Sequence, residues 1–157
     1  MKTEILHRLH NSSTEQLDLT RIYEEINGGP CNKPRGLWYA LDNTWYKIAY
    51  DDDHIFEHNH FLELDLTSIF IVEDSRDLMK LDSIISIYKA NYPDWTKLLN
   101  KGYKGVEFRN FEFITFDYRV YWFSALDCSS GCIWDLSCIK EVKTVIKNHH
   151  EQERIHI

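Results

Sequence analysis

Apolar residues along this chain recur at two spacings, which predict a mixture of strands and helices. From Phe61 to Thr67 apolar and polar residues alternate with period two, which is typical of a half-buried strand. Between Arg76 and Tyr88 the apolar positions have helical spacing, and Ser75 is placed to cap a helix there. The middle of the chain is therefore expected to contain both kinds of element.

Further short elements are predicted from apolar runs that lie between breakers such as Gly28-Gly-Pro30. The additional strands are expected at Glu4–His10, Leu37–Ala40, Ser68–Val72, Gly105–Phe108, Phe111–Phe116, Arg119–Phe123 and Gly131–Trp134. The additional helices are expected from Thr14 to Ile26, from Trp45 to Ala49, and from Asp94 to Leu99, the last ending at Gly102. A final amphipathic stretch carries Ile139, Val142, Val145 and Ile146. Helices dominate the middle and strands the C-terminal third without regular βαβ alternation, which favours an α+β fold.

The composition is that of one folded domain. The 157 residues are 43% hydrophobic and 14% aromatic, which is enough for a single core. We assign residues 1–147 to this domain and residues 148–157 to a polar tail. No apolar run reaches the roughly 18 residues that span a bilayer, and the start lacks the apolar stretch of a secretory signal. We therefore expect a cytoplasmic protein with no membrane partner.

The charge balance limits the classes of partner. The net charge of −7 comes from 25 acidic and 18 basic residues. Because Lys and Arg supply most non-specific affinity for phosphates, generic DNA coating is not expected. A local basic patch that serves one nucleotide stays compatible with this charge.

The four cysteines do not form a recognisable metal motif. Cys31, Cys128, Cys132 and Cys138 contain no Cys-x-x-Cys pair. We therefore expect reduced thiols, several of them buried as small hydrophobes, with a structural zinc site as the alternative.

Three histidines in an acidic stretch form a second candidate metal site. His54, His58 and His60 lie beside Asp51–Asp53, and His54 and His58 have i, i+4 spacing. Only a helix would bring that pair onto one face, and the stretch is interpreted as a loop. A solvated polar loop is therefore favoured over metal ligation.

Polar and aromatic residues near predicted strand ends form a candidate binding site. His10, Asn11 and Ser12 can hydrogen-bond a ribose or a phosphate, although polar turn residues after a strand explain the cluster more simply. Trp38-Tyr39 and Trp45-Tyr46 place four rings within nine residues. Such a wall can stack on a nicotinamide or a base, with ordinary core packing as the alternative.

Two carboxylates are candidates for catalysis. Asp127 lies between the aromatic segment Trp122–Leu126 and a Ser-Ser-Gly turn, a setting suited to steering a cationic centre. A turn aspartate that bonds its own backbone is the alternative. Glu107, in the predicted strand Gly105–Phe108, is the second candidate, with an exposed strand position as the alternative. The common P-loop, Gly-x-Gly-x-x-Gly, Gly-x-Ser-x-Gly and His-Glu-x-x-His motifs are absent.

In this order the segments resemble the ADP-ribosyltransferase family, especially its small phage and bacterial members, which include an anti-CRISPR transferase. Leu9-His-Asn-Ser12 matches a first strand that ends in His followed by Ser or Thr. Gly36-Leu-Trp-Tyr-Ala40 is similar to the second strand, with Trp38 where Tyr is common and Ala40 where a hydroxyl is expected. Gly102-Tyr-Lys-Gly-Val106 resembles a following motif, and Asp127 with Cys132–Ile139 resembles the ending. The familiar Glu-x-Glu or Gln-x-Glu pair is absent.

The resemblance implies a fold, a substrate and a set of site residues. The fold would be a split antiparallel sheet with short flanking helices, and NAD would donate ADP-ribose to a protein or nucleic acid, in phage–host conflict or as a toxin. Asp127 would be the catalytic carboxylate, with Glu107 as the second choice, and no metal would be needed. The cofactor-binding residues would be His10, Asn11, Ser12, Gly36, Trp38, Tyr39, Trp45 and Ser130.

Two other functions stay open. Ala40 and the missing acidic pair favour a catalytically inactive domain of the same fold that binds a protein as an inhibitor or antitoxin. A nuclease or phosphotransferase on an unrelated α+β scaffold is the third alternative, and it would require Lys and Arg clustered around a pocket.

Overall fold

Seven short strands form one hydrogen-bonded sheet in the computed structural model, which describes residues 6–49, 55–90, 92–114 and 118–146. The strands are β1 (Arg8–Ser12), β2 (Leu37–Leu41), β3 (His58–Leu64), β4 (Ile69–Val72), β5 (Gly105–Phe108), β6 (Ser130–Ile133) and β7 (Ile139–Ile146). The helices are α1 (Thr44–Ala49), α2 (Ser75–Ile85) and α3 (Thr96–Asn100). The strand order is β4-β5-β6-β2-β1-β3-β7, so β1, β2 and β6 are neighbours in the sheet.

The sheet is mixed, because β4 and β5 are parallel while the other neighbouring pairs are antiparallel. A parallel pair needs a long crossover, and α2 and α3 lie in the chain between these two strands. The α+β class is confirmed. The resemblance implied a split antiparallel sheet. The observed sheet differs at two points, because it is continuous and because it contains one parallel pair of strands. Within the described ranges, no helix has the length and apolar character needed to cross a membrane.

Alternating side chains divide the core between the two faces of the sheet. The helix-covered face carries Phe70, Val72, Val106, Phe108 and Cys132, which pack with apolar residues of α2 and α3 and with Trp95, Trp122 and Phe123. The opposite face carries Leu37, Tyr39, Leu41, Leu62 and Ile133. Every strand from β2 to β6 therefore contributes to apolar packing, which fixes the register of the sheet.

Helix boundaries follow the local sequence closely. α2 begins at Ser75, but its cap is Asp74, whose carboxylate accepts from the Asp77 backbone N–H at 2.8 Å. The predicted cap Asp94 accepts from the Thr96 backbone N–H at 3.1 Å, but α3 begins at Thr96 and the residue at its N-cap position is Trp95. Gly102 has φ +95°, the left-handed conformation expected of a glycine after a helix.

The prediction of a helix between Thr14 and Ile26 is wrong, since this segment has no regular structure. Asp18 folds back on Thr20, accepting from its backbone N–H at 3.0 Å, and this local turn competes with a helix. The Ile26 carbonyl is likewise bound by the backbone N–H of Arg35 at 2.8 Å, outside any helix. Ile26 is nevertheless fully buried, so its apolar character reflects tertiary packing.

The predicted strands Phe111–Phe116 and Arg119–Phe123 are also wrong in their described parts. Short 3-10 helices occupy Phe111–Phe113 and Tyr118–Ala125, while residues 115–117 lie outside the described residues. Trp122 and Phe123 are both buried, and the Trp122 indole N–H donates to Asp82 at 3.0 Å. The apolar run is thus explained by packing on α2 and the helix-covered face rather than by strand pairing.

The stretch around His58 was expected to be a loop, but β3 begins there and pairs with both β1 and β7. Ser12 faces His58 and His10 faces His60 in the register with β1. The final amphipathic stretch is β7, an edge strand of eight residues. His54 and the proposed tail, residues 148–157, lie outside the described residues.

Candidate active site

A cavity of about 250 Å³ opens on the sheet where β1, β2 and β6 are neighbours. Its walls are aromatic and its rim carries a few polar groups. The lining residues are Leu9, His10, Asn11, Lys33, Trp38, Tyr39, Ala40, Trp45, Phe56, Leu126, Asp127, Cys128 and Ser130. Ligand sites commonly combine an apolar lining with a few convergent polar groups in this way.

Seven of the ten site residues predicted from the sequence line this one cavity. These are His10, Asn11, Trp38, Tyr39, Trp45, Asp127 and Ser130. They come from β1, β2, α1, β6 and the loop before β6, so residues more than 100 positions apart in the chain share one wall. The other three, Ser12, Gly36 and Glu107, are not among the lining residues.

Trp38 forms an aromatic wall whose orientation is fixed by its backbone surroundings. Its indole N–H donates to the Pro34 carbonyl at 3.2 Å, and the Lys33 ammonium lies 5.6 Å from the ring centroid. Trp45, from α1, and Phe56 contribute two further rings to the lining. Aromatic surfaces of this kind bind flat rings by stacking.

His10 is held against the backbone of β2. Its Nδ1 lies 2.5 Å from the Trp38 carbonyl, which can only accept, so Nδ1 carries the proton and donates. Burial lowers the pKa of His10 below its ordinary value, and the bond to Trp38 offsets only part of this effect. The neutral ring therefore keeps Nε2 as a hydrogen-bond acceptor at neutral pH.

Asn11 lines the cavity, but its side chain is occupied by a protein contact. Its amide N–H₂ donates to the Phe56 carbonyl at 2.9 Å, and its oxygen accepts from the Phe56 backbone N–H at 2.6 Å. The same amide also donates to Asn59 at 2.8 Å. Asn11 therefore positions Phe56 at the cavity rather than offering free groups to a ribose.

The loop that carries Asp127 is pinned to β2. The Leu41 backbone N–H donates to the Ser129 carbonyl at 3.0 Å, and the Thr44 hydroxyl donates to the same carbonyl at 3.1 Å. Asp127 is exposed beside the buried Cys128. The pinned loop thus holds a solvent-accessible carboxylate at the cavity rim.

Ser130 brings a hydroxyl to the position where the second strand lacks one. It pairs directly with Ala40 in the register between β6 and β2, and both residues line the cavity. The Ser130 hydroxyl donates to the Cys128 carbonyl at 3.0 Å. Its oxygen lone pairs can still accept from a ligand.

Glu107 is not available to the cavity, which corrects its assignment as the second catalytic carboxylate. It is 0% exposed, and its carboxylate accepts from Arg8 at 2.6 and 3.1 Å, from the Tyr39 hydroxyl at 2.7 Å and from Arg109 at 2.7 Å. It shares a sheet row with Gly131 and Tyr39, next to the row of Ser130, so its side chain points to the opposite face.

The electrostatics of Glu107 fit a structural role. Burial by itself would raise its pKa, but the hydrogen bonds and charge of Arg8, with help from Tyr39 and Arg109, hold the pKa below its ordinary value. The carboxylate is therefore ionised and fully paired at neutral pH.

Ser12 and Gly36 also differ from their predicted roles as cofactor contacts. The Ser12 hydroxyl bonds Thr14 and lies 3.1 Å from the His60 ring nitrogen. Gly36 lies so close to β6 that an added Cβ would be 2.6 Å from the Cys132 sulfur. Both residues are thus explained by packing and hydrogen bonding within the protein.

The metal-site candidates do not converge. Within the described part of the chain no group of three His, Cys, Asp or Glu side chains is arranged to hold a metal ion. Cys128, Cys132 and Cys138 are free and buried, and Cys31 is free and exposed. Burial raises the pKa of Cys128, and that of Cys138 to about 11, so these thiols are protonated at neutral pH.

His58 and His60 stack with ring centroids 6.4 Å apart, and their ring nitrogens are used differently. The buried His60 has one nitrogen 2.9 Å from the Thr14 carbonyl and the other 2.8 Å from the Thr144 hydroxyl. His58 Nδ1 is buried and has no hydrogen-bond partner among the described residues.

Six lining residues were not predicted as site residues from the sequence, namely Leu9, Lys33, Ala40, Phe56, Leu126 and Cys128. Phe56 is held beside β1 by the Asn11 contact described above, and no local signal in the sequence marks it. Lys33 has a local signal, because it belongs to the Gly- and Pro-rich segment directly before β2. Such a segment, ahead of an aromatic strand, is a reasonable place to look for a loop that borders a site.

Comparisons with protein-family models, with curated proteins and with solved structures gave no match.

Proposed function

We propose that this chain is a mono-ADP-ribosyltransferase that uses NAD to modify a protein or nucleic-acid target. The observation that carries the proposal is that His10, Trp38 and Asp127 line one cavity. These residues occupy three motifs that resemble the family, and they are far apart in sequence. An ADP-ribosyltransferase-like domain is the finer form of the fold within this proposal, with β1, β2 and β6 carrying the site.

The cavity residues suit the chemistry of NAD. Trp38 and Trp45 offer rings against which a nicotinamide can stack. His10, through Nε2, and Ser130, through its hydroxyl oxygen, can accept hydrogen bonds from ribose hydroxyls. The cavity is smaller than the roughly 300–1,000 Å³ of typical ligand pockets. It would therefore enclose one end of the dinucleotide and leave the rest along the open rim.

In the reaction, the bond between the nicotinamide nitrogen and the ribose carbon breaks, and its electron pair goes to the nicotinamide, which leaves neutral. The ribose carbon then has oxocarbenium character, as in glycoside cleavage. Asp127 would stabilise that positive charge. The target's oxygen or nitrogen forms the new bond to the same carbon and loses its proton to solvent or to Asp127.

A catalytically inactive domain of the same fold that binds a protein, as an inhibitor or antitoxin, is the second candidate. Two observations favour it. Ala40 lines the cavity where a hydroxyl residue is expected, and Asp127 is the one carboxylate among the lining residues, since Glu107 points to the opposite face. Ser130, directly opposite Ala40, supplies a hydroxyl nearby, and this weighs toward the active form.

The two candidates are separated by incubating the protein with NAD labelled in its adenosine part and a bacterial lysate. The active form releases nicotinamide and transfers label to a macromolecule. Asp127→Asn should then lower turnover about 10²- to 10³-fold, a loss typical of removing one group that stabilises transition-state charge. The matched control is Glu141→Gln, which removes an exposed carboxylate on β7, away from the cavity.

The outcomes separate the candidates clearly. If the wild-type protein shows no nicotinamide release and no label transfer, the enzymatic proposal is overturned and the inactive binding domain is favoured. Turnover that Asp127→Asn leaves unchanged would keep the activity but remove Asp127 from its assigned role.

A further inference from the structure

Lys33 gives the cavity a charge polarity. Of the lining residues, Lys33 carries a positive formal charge and Asp127 a negative one. Both act on the Cys128 thiol: burial raises the pKa of that thiol, the charge of Asp127 raises it further, and the charge of Lys33 lowers it. The two opposite charges therefore both border the cavity, near the Cys128 thiol.

The ammonium of Lys33 is not neutralised by a protein carboxylate. The ion pairs of the described residues join Arg8 with Glu107 and Arg109 with Glu73 and Glu107, and none includes Lys33. Its Nζ lies over the Trp38 ring, 5.6 Å from the ring centroid. The Trp38 ring is only partly buried, and a cation over a ring near solvent gains about 0.5–1 kcal/mol, so an anion can draw the ammonium away.

The backbone at Lys33 is firmly placed although its side chain is uncommitted. Its N–H donates to the Pro30 carbonyl at 3.1 Å, and the preceding Asn32 carbonyl accepts from the Trp95 indole at 2.9 Å. Gly29 allows this turn, because a Cβ there would lie 2.2 Å from the Lys33 carbonyl oxygen. The loop therefore presents the lysine at a fixed point beside Trp38.

We propose that Lys33 is the phosphate-binding residue of the cavity, and that the cavity selects ligands in which an aromatic ring is joined to a diphosphate. The inference deepens the proposed function and rests on it in so far as NAD is such a ligand. A phosphate pairs with a lysine as with a point charge, while Asp127 repels phosphate and attracts a cationic ring. The polarity therefore orients NAD, with its pyridinium toward Asp127 and its diphosphate toward Lys33.

The test measures the binding of four ligands through the quenching of tryptophan fluorescence in the cavity. The ligands are NAD, ADP, inorganic pyrophosphate and nicotinamide riboside. Hydrogen bonds to charged groups correspond to roughly ten- to hundred-fold in affinity. Lys33→Gln should weaken the binding of NAD and of ADP by about that factor. The affinity for nicotinamide riboside, which has no phosphate, should stay within about two-fold of wild type. Lys33→Arg should keep most of the NAD affinity. Lys143→Gln, on β7, is the control for loss of a positive charge away from the cavity.

Each outcome bears on a separate part of the proposal. If Lys33→Gln weakens the binding of NAD and of nicotinamide riboside equally, with an unchanged melting temperature, Lys33 is not the phosphate-binding residue. Absence of binding by both ADP and pyrophosphate to the wild-type protein would do the same. Binding of ADP that depends on Lys33, without release of nicotinamide from NAD, would support the phosphate site while removing the transferase proposal.

Discussion

Glu107 anchors a buried charge network, and its replacement by glutamine is expected to destabilise the protein strongly. Glutamine has nearly the same shape, but it is neutral and one of its two polar atoms becomes a donor that faces a guanidinium. The Arg8 side chain is 10% exposed and the Arg109 side chain 21% exposed, so both lose their partner largely out of water. Breaking a buried ion pair on one side typically costs about 3–5 kcal/mol.

The two arginines contribute unequally to the loss of unfolding free energy that Glu107→Gln should cause. Arg8 donates two hydrogen bonds to Glu107 and is nearly buried, so it accounts for most of the loss. Arg109 keeps its bond to Glu73 at 2.9 Å and is partly solvated, which makes its share smaller. We therefore expect Glu107→Gln to lower the free energy of unfolding at pH 7 by about 3 kcal/mol or more. That corresponds to a fall in melting temperature of about 10 °C for a domain of this size.

Urea unfolding followed by tryptophan fluorescence measures this change. The control is Glu141→Gln on the exposed face of β7, which should stay within about 0.5 kcal/mol of wild type. In the double variant Arg8→Met/Glu107→Leu, part of the loss should be recovered, because no nearly buried guanidinium is left unpaired. A loss below about 1 kcal/mol for Glu107→Gln, or losses that simply add in the double variant, would refute this account of the network.

The pH dependence supplies an independent check of the same network. The pKa of Glu107 lies below its ordinary value in the folded protein, so the unfolded chain binds more protons as the pH falls below the unfolded value. The stabilisation is fully present above the unfolded pKa of about 4.3 and is lost as the pH falls through the folded pKa. Wild type should therefore lose stability below about pH 4.3 more steeply than Glu107→Gln.

Three further predictions concern the sheet and the cavity. Gly131→Ala should cost about 1–3 kcal/mol of unfolding free energy, because the new Cβ would lie 2.2 Å from Tyr39 Cζ; wild-type urea stability would contradict this close approach. Burial lowers the pKa of both His10 and His60, so the folded state takes up fewer protons than the unfolded chain. The free energy of unfolding should accordingly fall as the pH drops below about 6.5, and His60→Gln should flatten that slope in urea titrations. Trp38→Ala should weaken NAD binding about tenfold, whereas Trp38→Phe should keep most of the affinity. If a titration gives Trp38→Ala the same affinity for NAD as the wild-type protein, stacking on Trp38 is excluded.

Local signals were sufficient where an element is defined by its own residues. The α2 helix was predicted from the spacing of Leu78, Leu81 and Ile85, all of which are fully buried. β5 was also located correctly, with Gly105 at its start, and α3 was predicted as a helix, although it begins at Thr96, one residue later than a cap at Asp94 predicts. In each case the information lies within a few positions of the element itself.

Long-range contacts explain the failures. Trp122 and Phe123 look like strand residues, but their environment is a cluster that includes Trp95 and Phe108, with Trp95 and Trp122 at 5.2 Å between ring centroids. Glu107 was predicted as the second catalytic carboxylate, with an exposed strand position as the alternative, because the alternation of residues along a strand does not show what covers each face of the sheet. Its partner Arg8 lies 99 positions earlier in the chain.

The candidate site shows the same division. His10, Trp38 and Asp127 were found because each follows or begins a recognisable strand or turn, and the order of those elements resembles a family. Phe56 and Lys33 enter the cavity through loops, whose course depends on Asn11 in one case and on Trp95 in the other. Contacts of that kind join side chains to distant backbone, and no pattern in a single sequence records them.

The sheet itself explains why the two carboxylates have opposite roles. Glu107, Gly131 and Tyr39 form one row across β5, β6 and β2, and the neighbouring row holds Ser130 and Ala40. Successive rows face opposite sides, so one row builds a sealed ionic network while the next floors an open cavity. Tyr39 belongs to the first row through its hydroxyl and still contributes to the cavity lining. Its fixed position makes β2 a rigid support for the adjacent Trp38 and Ala40, and rigid elements hold binding groups more precisely than loops do.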